Sequence, residues 1–233
     1  MKSVVRNGCF ESNSSSEHVF VATKLDEHLT PEEIRKDAFI HNGELDLSYT
    51  EIDEGYGRGP FQVLDSYKGK LSYAICVYCG GKVYDSDFNQ RINGILKVVQ
   101  EDLPEVTGFK FAILQEHPYL DKDGNMVNPG WVDFGPDKDG TFKHMYYDTK
   151  GRWHEVKIAD YYIDVPQIGS IDHQSVGLFE RFLEKRKLSL REFLTNKRYV
   201  VLIDGDEYNV FKRLIDCKII NIKDIEGFID EEN

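Results

Sequence analysis

Apolar positions recur at helical spacing in three parts of the chain. Phe88, Ile92, Ile95, Leu96 and Val99 form one stripe, with Asp85 or Ser86 as the expected N-cap and Pro104 closing the segment. Val176, Leu178, Phe179, Phe182 and Leu183 predict a second amphipathic helix, which Leu190–Leu194 continues or follows as a short one. Tyr208–Ile215 reads as a third. A shorter helix starts at Thr30-Pro31-Glu32-Glu33, with Thr at the N-cap, Pro at the first helical position and Glu three residues after the cap. It stops before Gly43.

Strand patterns fall between these. Val4–Val5, His18–Thr23, Phe109–Leu114, Tyr161–Val165 and Lys218–Ile222 are expected strands. Phe142–Tyr147 and Trp153–Ile158 form a hairpin across Asp148-Thr149-Lys150-Gly151. Tyr199–Ile203 is apolar throughout, as a strand buried on both faces is. Leu71–Cys79 is apolar on almost every side, and periodicity leaves helix and strand open until Gly80-Gly81 ends it. The glycines between 43 and 69 predict loop with local strand.

Helices and strands interleave irregularly around a central hairpin, which predicts an α+β fold. The expected form is a mixed or antiparallel sheet with two to four packed helices. With no repeat and no linker, residues 1–233 are read as a single domain.

Composition narrows the setting. The 14 Phe and 13 Tyr supply a core and argue against disorder. No apolar run is long enough to span a bilayer, and no cationic start precedes an apolar stretch, so the expected location is the cytosol. Four cysteines without framework spacing fit a reducing compartment. The formal net charge of −12 repels a phosphate backbone and argues against broad nucleic-acid binding. Lys185, Arg186, Lys187, Arg191, Lys197 and Arg198 lie close in sequence, and a solvated helix face accounts for them.

Two polar clusters stand out from this apolar patterning. Residues 10–18 read Phe-Glu-Ser-Asn-Ser-Ser-Ser-Glu-His, and residues 172–175 read Asp-His-Gln-Ser at the opening of a helix pattern. A turn at Asn13-Ser14-Ser15 turns successive backbone N–H groups and hydroxyls to one point, as phosphate and oxyanion sites require. Gln174 and Ser175 add further donors. His18 and His173 suit general acid–base work, with Glu11 or Asp172 orienting an imidazole. As plain structure, the same residues make turns and caps.

The N-terminal string resembles a Phe-Glu-Thr-Asn-Ser-Ser-Ser-Ser-His start of uncharacterised proteins from bacteriophages and prophage-like elements. Lys70-Leu71-Ser72-Tyr73, Ile171-Asp172-His173-Gln174-Ser175 and the Phe193-Leu194…Asn196 stretch are similar to the same group. Here Ser12 stands for Thr, and Glu17 sets a carboxylate beside His18. The resemblance implies a phage context and marks the two polar clusters; it carries no mechanism.

Other motifs fail their structural requirements. Asp121-Lys-Asp-Gly-Asn lacks the Gly and closing Glu of a calcium loop in their places. Cys76-Val-Tyr-Cys79 is half a zinc ribbon without its second pair, so buried thiols are the expectation and no metal is assigned. Gly55-Tyr-Gly-Arg-Gly59 opens no helix. No cofactor is specified. The expected function is a polar site joining residues 11–18 to 172–175, acting on a small phosphate-bearing or nucleotide-like ligand. The alternative is a non-catalytic acidic interaction protein that inhibits a host protein.

Overall fold

The computed structural model describes residues 17–23, 25, 27–48, 62–80, 83–127, 144–148, 150–169, 171, 173–204 and 225–229. The class is α+β. The main sheet joins β1 (Glu17–Thr23), β4 (Gln62–Leu64), β12 (Tyr199–Asp204) and β13 (Ile225–Ile229) in the order β13-β1-β12-β4, all antiparallel. β12 is internal, as its unbroken apolar run predicts. Its register with β1 sets His18 opposite Ile203 and Ala22 opposite Tyr199.

Alternation splits β1 between two faces. Phe20 and Ala22 enter the large core with the helices, while Val19 and Val21 pack with Leu202 on the other side. Above the large core lie α1 (Pro31–Asp37), α2 (Tyr67–Cys79), α3 (Phe88–Asp102), α4 (His173–Arg186) and α5 (Leu190–Thr195). These five exceed the two to four expected, because the ambiguous apolar run is helix and residues 190–195 are separate from α4.

α2 is the buried axis of this layer. Its residues are buried on every side, which is why its sequence shows no polar face. It begins one turn before the apolar run, where the Ser66 hydroxyl accepts the Gly69 N–H at 3.0 Å. α1 carries the capping box its sequence announces: Thr30 and Glu33 exchange side-chain and backbone hydrogen bonds at 3.2 and 2.8 Å. The residue before α3 is Asp87, not Asp85 or Ser86, and its carboxylate takes the Arg91 guanidinium at 2.7 Å. The α3 stripe is as expected, with Ile95 and Val99 buried and Phe88, Ile92 and Leu96 against the core.

The remaining strands form smaller sheets. β2 (Ile40–His41) and β3 (Glu44–Asp46) turn through Asn42 and Gly43, and β3 pairs in parallel with β5 (Gly108–Lys110). Gly43 has φ +81°, and a Cβ there would stand 2.9 Å from Thr107 Oγ1. The expected strand Phe109–Leu114 is two strands, β5 and β6 (Ile113–Glu116), serving different sheets. β6 pairs with β11 (Ile163–Pro166). β7 (Tyr119–Leu120), β8 (Met126–Val127), β9 (His144–Tyr147) and β10 (Trp153–Ile158) make the fourth sheet, and β9–β10 is the expected hairpin. Asp148 closes its turn by accepting the N–H groups of Lys150 and Arg152 at 2.9 Å each. The strands expected at Val4–Val5 and Lys218–Ile222 and the helix at Tyr208–Ile215 lie outside the described residues. Among the described residues, no helix is long and apolar enough to cross a membrane.

Candidate functional site

Of the candidate site residues in the two polar clusters, His18 is the one whose side chain is described. It follows Glu17 in β1 and points to the same face as Phe20. The imidazole is fully buried, with Nδ1 2.9 Å from the Tyr73 hydroxyl. Tyr73 reaches it from the middle of α2, and the two rings tilt together at 5.6 Å. The Tyr73 hydroxyl at Nδ1 helps to fix how the imidazole is turned.

Lys70 lies one turn before Tyr73 on α2 and is also fully buried. Its ammonium donates to the Asn196 carbonyl oxygen at 2.9 Å and stands 5.7 Å over the Phe193 ring. Burial pushes its pKa down to about 8, against a smaller upward pull from the carboxylates of Asp65 and Asp37. Asn196 is the C-cap of α5, so the cation meets the negative end of that short helix. The Lys-Leu-Ser-Tyr segment therefore touches two distant segments at once, one at His18 and one at Phe193–Asn196.

An aromatic cluster fixes how α4 lies on this frame. Phe179 is 5.6 Å from both Tyr73 and Phe20, and Phe182 is 4.7 Å from Phe20 and 5.6 Å from Tyr199. Tyr73 also touches His18, whereas Tyr199 pairs with Ala22. Phe179 thus lies toward Tyr73, and Phe182 toward Tyr199. His173, Gln174 and Ser175 form the first turn of α4. Glu11, Asn13, Ser14, Ser15 and Asp172 lie outside the described residues.

A second polar group sits at the same C-terminal end of α5. His28 Nδ1 is 3.4 Å from Thr195 Oγ1, and its Nε2 is 3.4 Å from Glu192 Oε1. The Thr195 hydroxyl donates to the Arg191 carbonyl at 3.0 Å, so its proton is engaged in the helix. Backbone bonds from Leu29 to Thr195 and from Lys197 to Glu27 run beside it. This arrangement staples the segment after β1 onto the corner between α5 and β12.

The basic stretch 185–198 is partly used within the fold. Arg191 takes Asp102 at 2.6 Å, and Lys197 takes Glu33 at 2.8 Å. Phe193 and Tyr199 are buried, as their apolar neighbours imply. Cys76 and Cys79 are buried along α2. Among the described residues no group of three or more His, Cys, Asp or Glu is arranged to hold a metal ion.

Sequence reasoning passed over Lys70 and Tyr73 as chemistry. The available signal was a lysine and a tyrosine, three apart, in a run otherwise fit for core. No protein-family model, no curated protein and no solved structure matches the chain.

Proposed function

We propose that the protein binds a small phosphate-bearing or nucleotide-like ligand where residues 11–18 meet residues 172–175. The setting is the cytosol of a host cell, in the phage context implied by the N-terminal resemblance. The observation that supports this reading is the packing of α4 on β1 through Phe179, Phe182 and Phe20, next to the His18–Tyr73 pair. The strand that continues the first cluster packs against the helix that the second cluster opens.

In this reading the ligand's phosphate lies against the first turn of α4, where unsatisfied N–H groups and the positive end of the helix dipole favour an anion. Asn13, Ser14, Ser15, Gln174 and Ser175 supply hydrogen bonds to it. Where the ligand is also a substrate, His18 and His173 move the proton and Glu11 or Asp172 orients an imidazole.

The test is thermal unfolding with nucleoside mono-, di- and triphosphates, with and without magnesium. A ligand at about one hundred times its Kd stabilises by about 2.7 kcal/mol. That stabilisation should disappear in the Ser14→Ala, Ser175→Ala double variant. If none of these ligands stabilises the chain, or the double variant responds equally, the reading is wrong.

A further inference from the structure

Asn-Gly occurs three times in the chain, at 7–8, 42–43 and 93–94. The pair carries a latent reaction. Glycine has no Cβ to shield its amide nitrogen, and that nitrogen can attack the asparagine side-chain amide. Residues 7–8 lie outside the described residues. Asn42 and Asn93 are both exposed, so water reaches each of them. Their backbones differ.

Asn93 and Gly94 sit in the second turn of α3. A helical N–H is engaged with the carbonyl four residues before it, and freeing it inside a helix breaks several bonds together. Asn42 and Gly43 are the two-residue loop between β2 and β3, with φ +52° and +81°, the left-handed pair of a type I′ turn. The closing pair of the ladder is His41 with Glu44, which leaves the Gly43 N–H outside it. A loop of this kind opens locally at a lower cost than a helix interior.

The loop is also tied to its surroundings. The Gly43 carbonyl accepts the Thr107 N–H at 2.7 Å and the Thr107 hydroxyl at 3.2 Å. Beyond the loop, β3 pairs with β5, and Leu45 and Leu47 are held in the core. The turn therefore has little room for a longer main chain.

We propose that Asn42 is a self-modification site, where the folded chain converts asparagine to aspartate and isoaspartate through a succinimide. The Gly43 nitrogen bonds to Asn42 Cγ, the Cγ–Nδ2 bond breaks, and ammonia leaves with the proton that the Gly43 nitrogen gives up. Water then opens the ring. Attack at Cγ gives aspartate. Attack at the Asn42 carbonyl carbon gives isoaspartate, whose main chain is one methylene longer. The net exchange is water in and ammonia out, with no change of oxidation state. A two-residue I′ turn does not accommodate the longer chain, so isoaspartate releases the Gly43 carbonyl from Thr107. This site is independent of the ligand site proposed above.

The test is storage of the full chain in mildly alkaline buffer, followed by peptide mapping that locates each exchange of NH2 for OH. In the folded chain Asn42 should convert about tenfold or more faster than Asn93. In urea the two should convert at similar rates, because both pairs then have the same local chemistry. Ion exchange separates the converted chains by their added negative charge. In the isoaspartate form the Thr107 amide should exchange its hydrogen about tenfold or more faster. Asn42→Asp carries the charge on an ordinary main chain and should keep Thr107 protected. Asn42→Gly retains a turn-compatible residue and should give no product at position 42. Equal conversion of Asn42 and Asn93 in the folded chain, no conversion of Asn42 there, or an isoaspartate form with Thr107 still protected would overturn the proposal.

Discussion

Nζ of Lys70 lies 2.9 Å from the backbone carbonyl oxygen of Asn196, joining residues 126 positions apart inside the core. A buried ammonium carries a desolvation cost, and here one carbonyl, an aromatic face and two carboxylates at longer range offset part of it.

That cost gives stability a pH dependence of definite sign. The folded chain holds Lys70 at about 8, against 10.5 for an ordinary lysine. Below pH 8 both states are protonated and the penalty is fully present. Between 8 and 10.5 the unfolded chain binds more protons, so stability rises with pH. The expected gain from pH 8 to pH 10 is about 2 kcal/mol. Above pH 10 the trend reverses, because burial raises the Tyr67 phenol above its ordinary value. Urea unfolding at several pH values measures the rise, and Lys70→Met should flatten it. A rise that persists in that variant would assign it to another group.

Tyr73→Phe removes the hydroxyl from His18 Nδ1 while keeping the ring against Phe20 and Phe179. The expected loss is about 1–3 kcal/mol, the cost of a buried hydrogen-bonding group deprived of its partner. Tyr73→Leu should cost more, since it also opens the aromatic cluster. Equilibrium denaturation ranks the two variants. Imidazole nitrogen shifts of His18 should change in the Phe variant; an unchanged spectrum would mean that Tyr73 does not orient the ring.

Cys76 and Cys79 are expected to be thiols that a soluble disulfide reagent reaches only when α2 opens. Their rate of modification should follow unfolding as denaturant is added. Fast reaction of the native chain, or stoichiometric zinc by elemental analysis, would contradict their assignment as core residues.

Binding to single- or double-stranded oligonucleotides should be weak at about 0.15 M salt. The net charge opposes approach, Arg191 and Lys197 are engaged with Asp102 and Glu33, and Phe193 and Tyr199 are buried away from any base. Sub-micromolar binding that falls steeply with added salt would restore a nucleic-acid role.

Features set by neighbours in sequence were legible. Thr30, Pro31 and Glu33 determine the start of α1 because a capping box needs only local groups. Turn chemistry at Asp148–Gly151 determines the hairpin, and the α3 stripe determines which side of that helix faces the core. The α+β class follows from the irregular order of these elements. The polar starts of the candidate site were visible as composition, but their side-chain arrangement lies outside the described residues.

Long-range packing decided the rest. Leu71–Cys79 is helix, and its sequence shows no period because the helix is enclosed on all sides. Phe109–Leu114 divides between two sheets because β5 and β6 have different partners. His18 meets Tyr73 across 55 residues, and no local pattern encodes that meeting. Hydrophobic periodicity specifies which face of an element is buried; which side chains then share that interior depends on how the elements pack, and packing is a property of the whole chain.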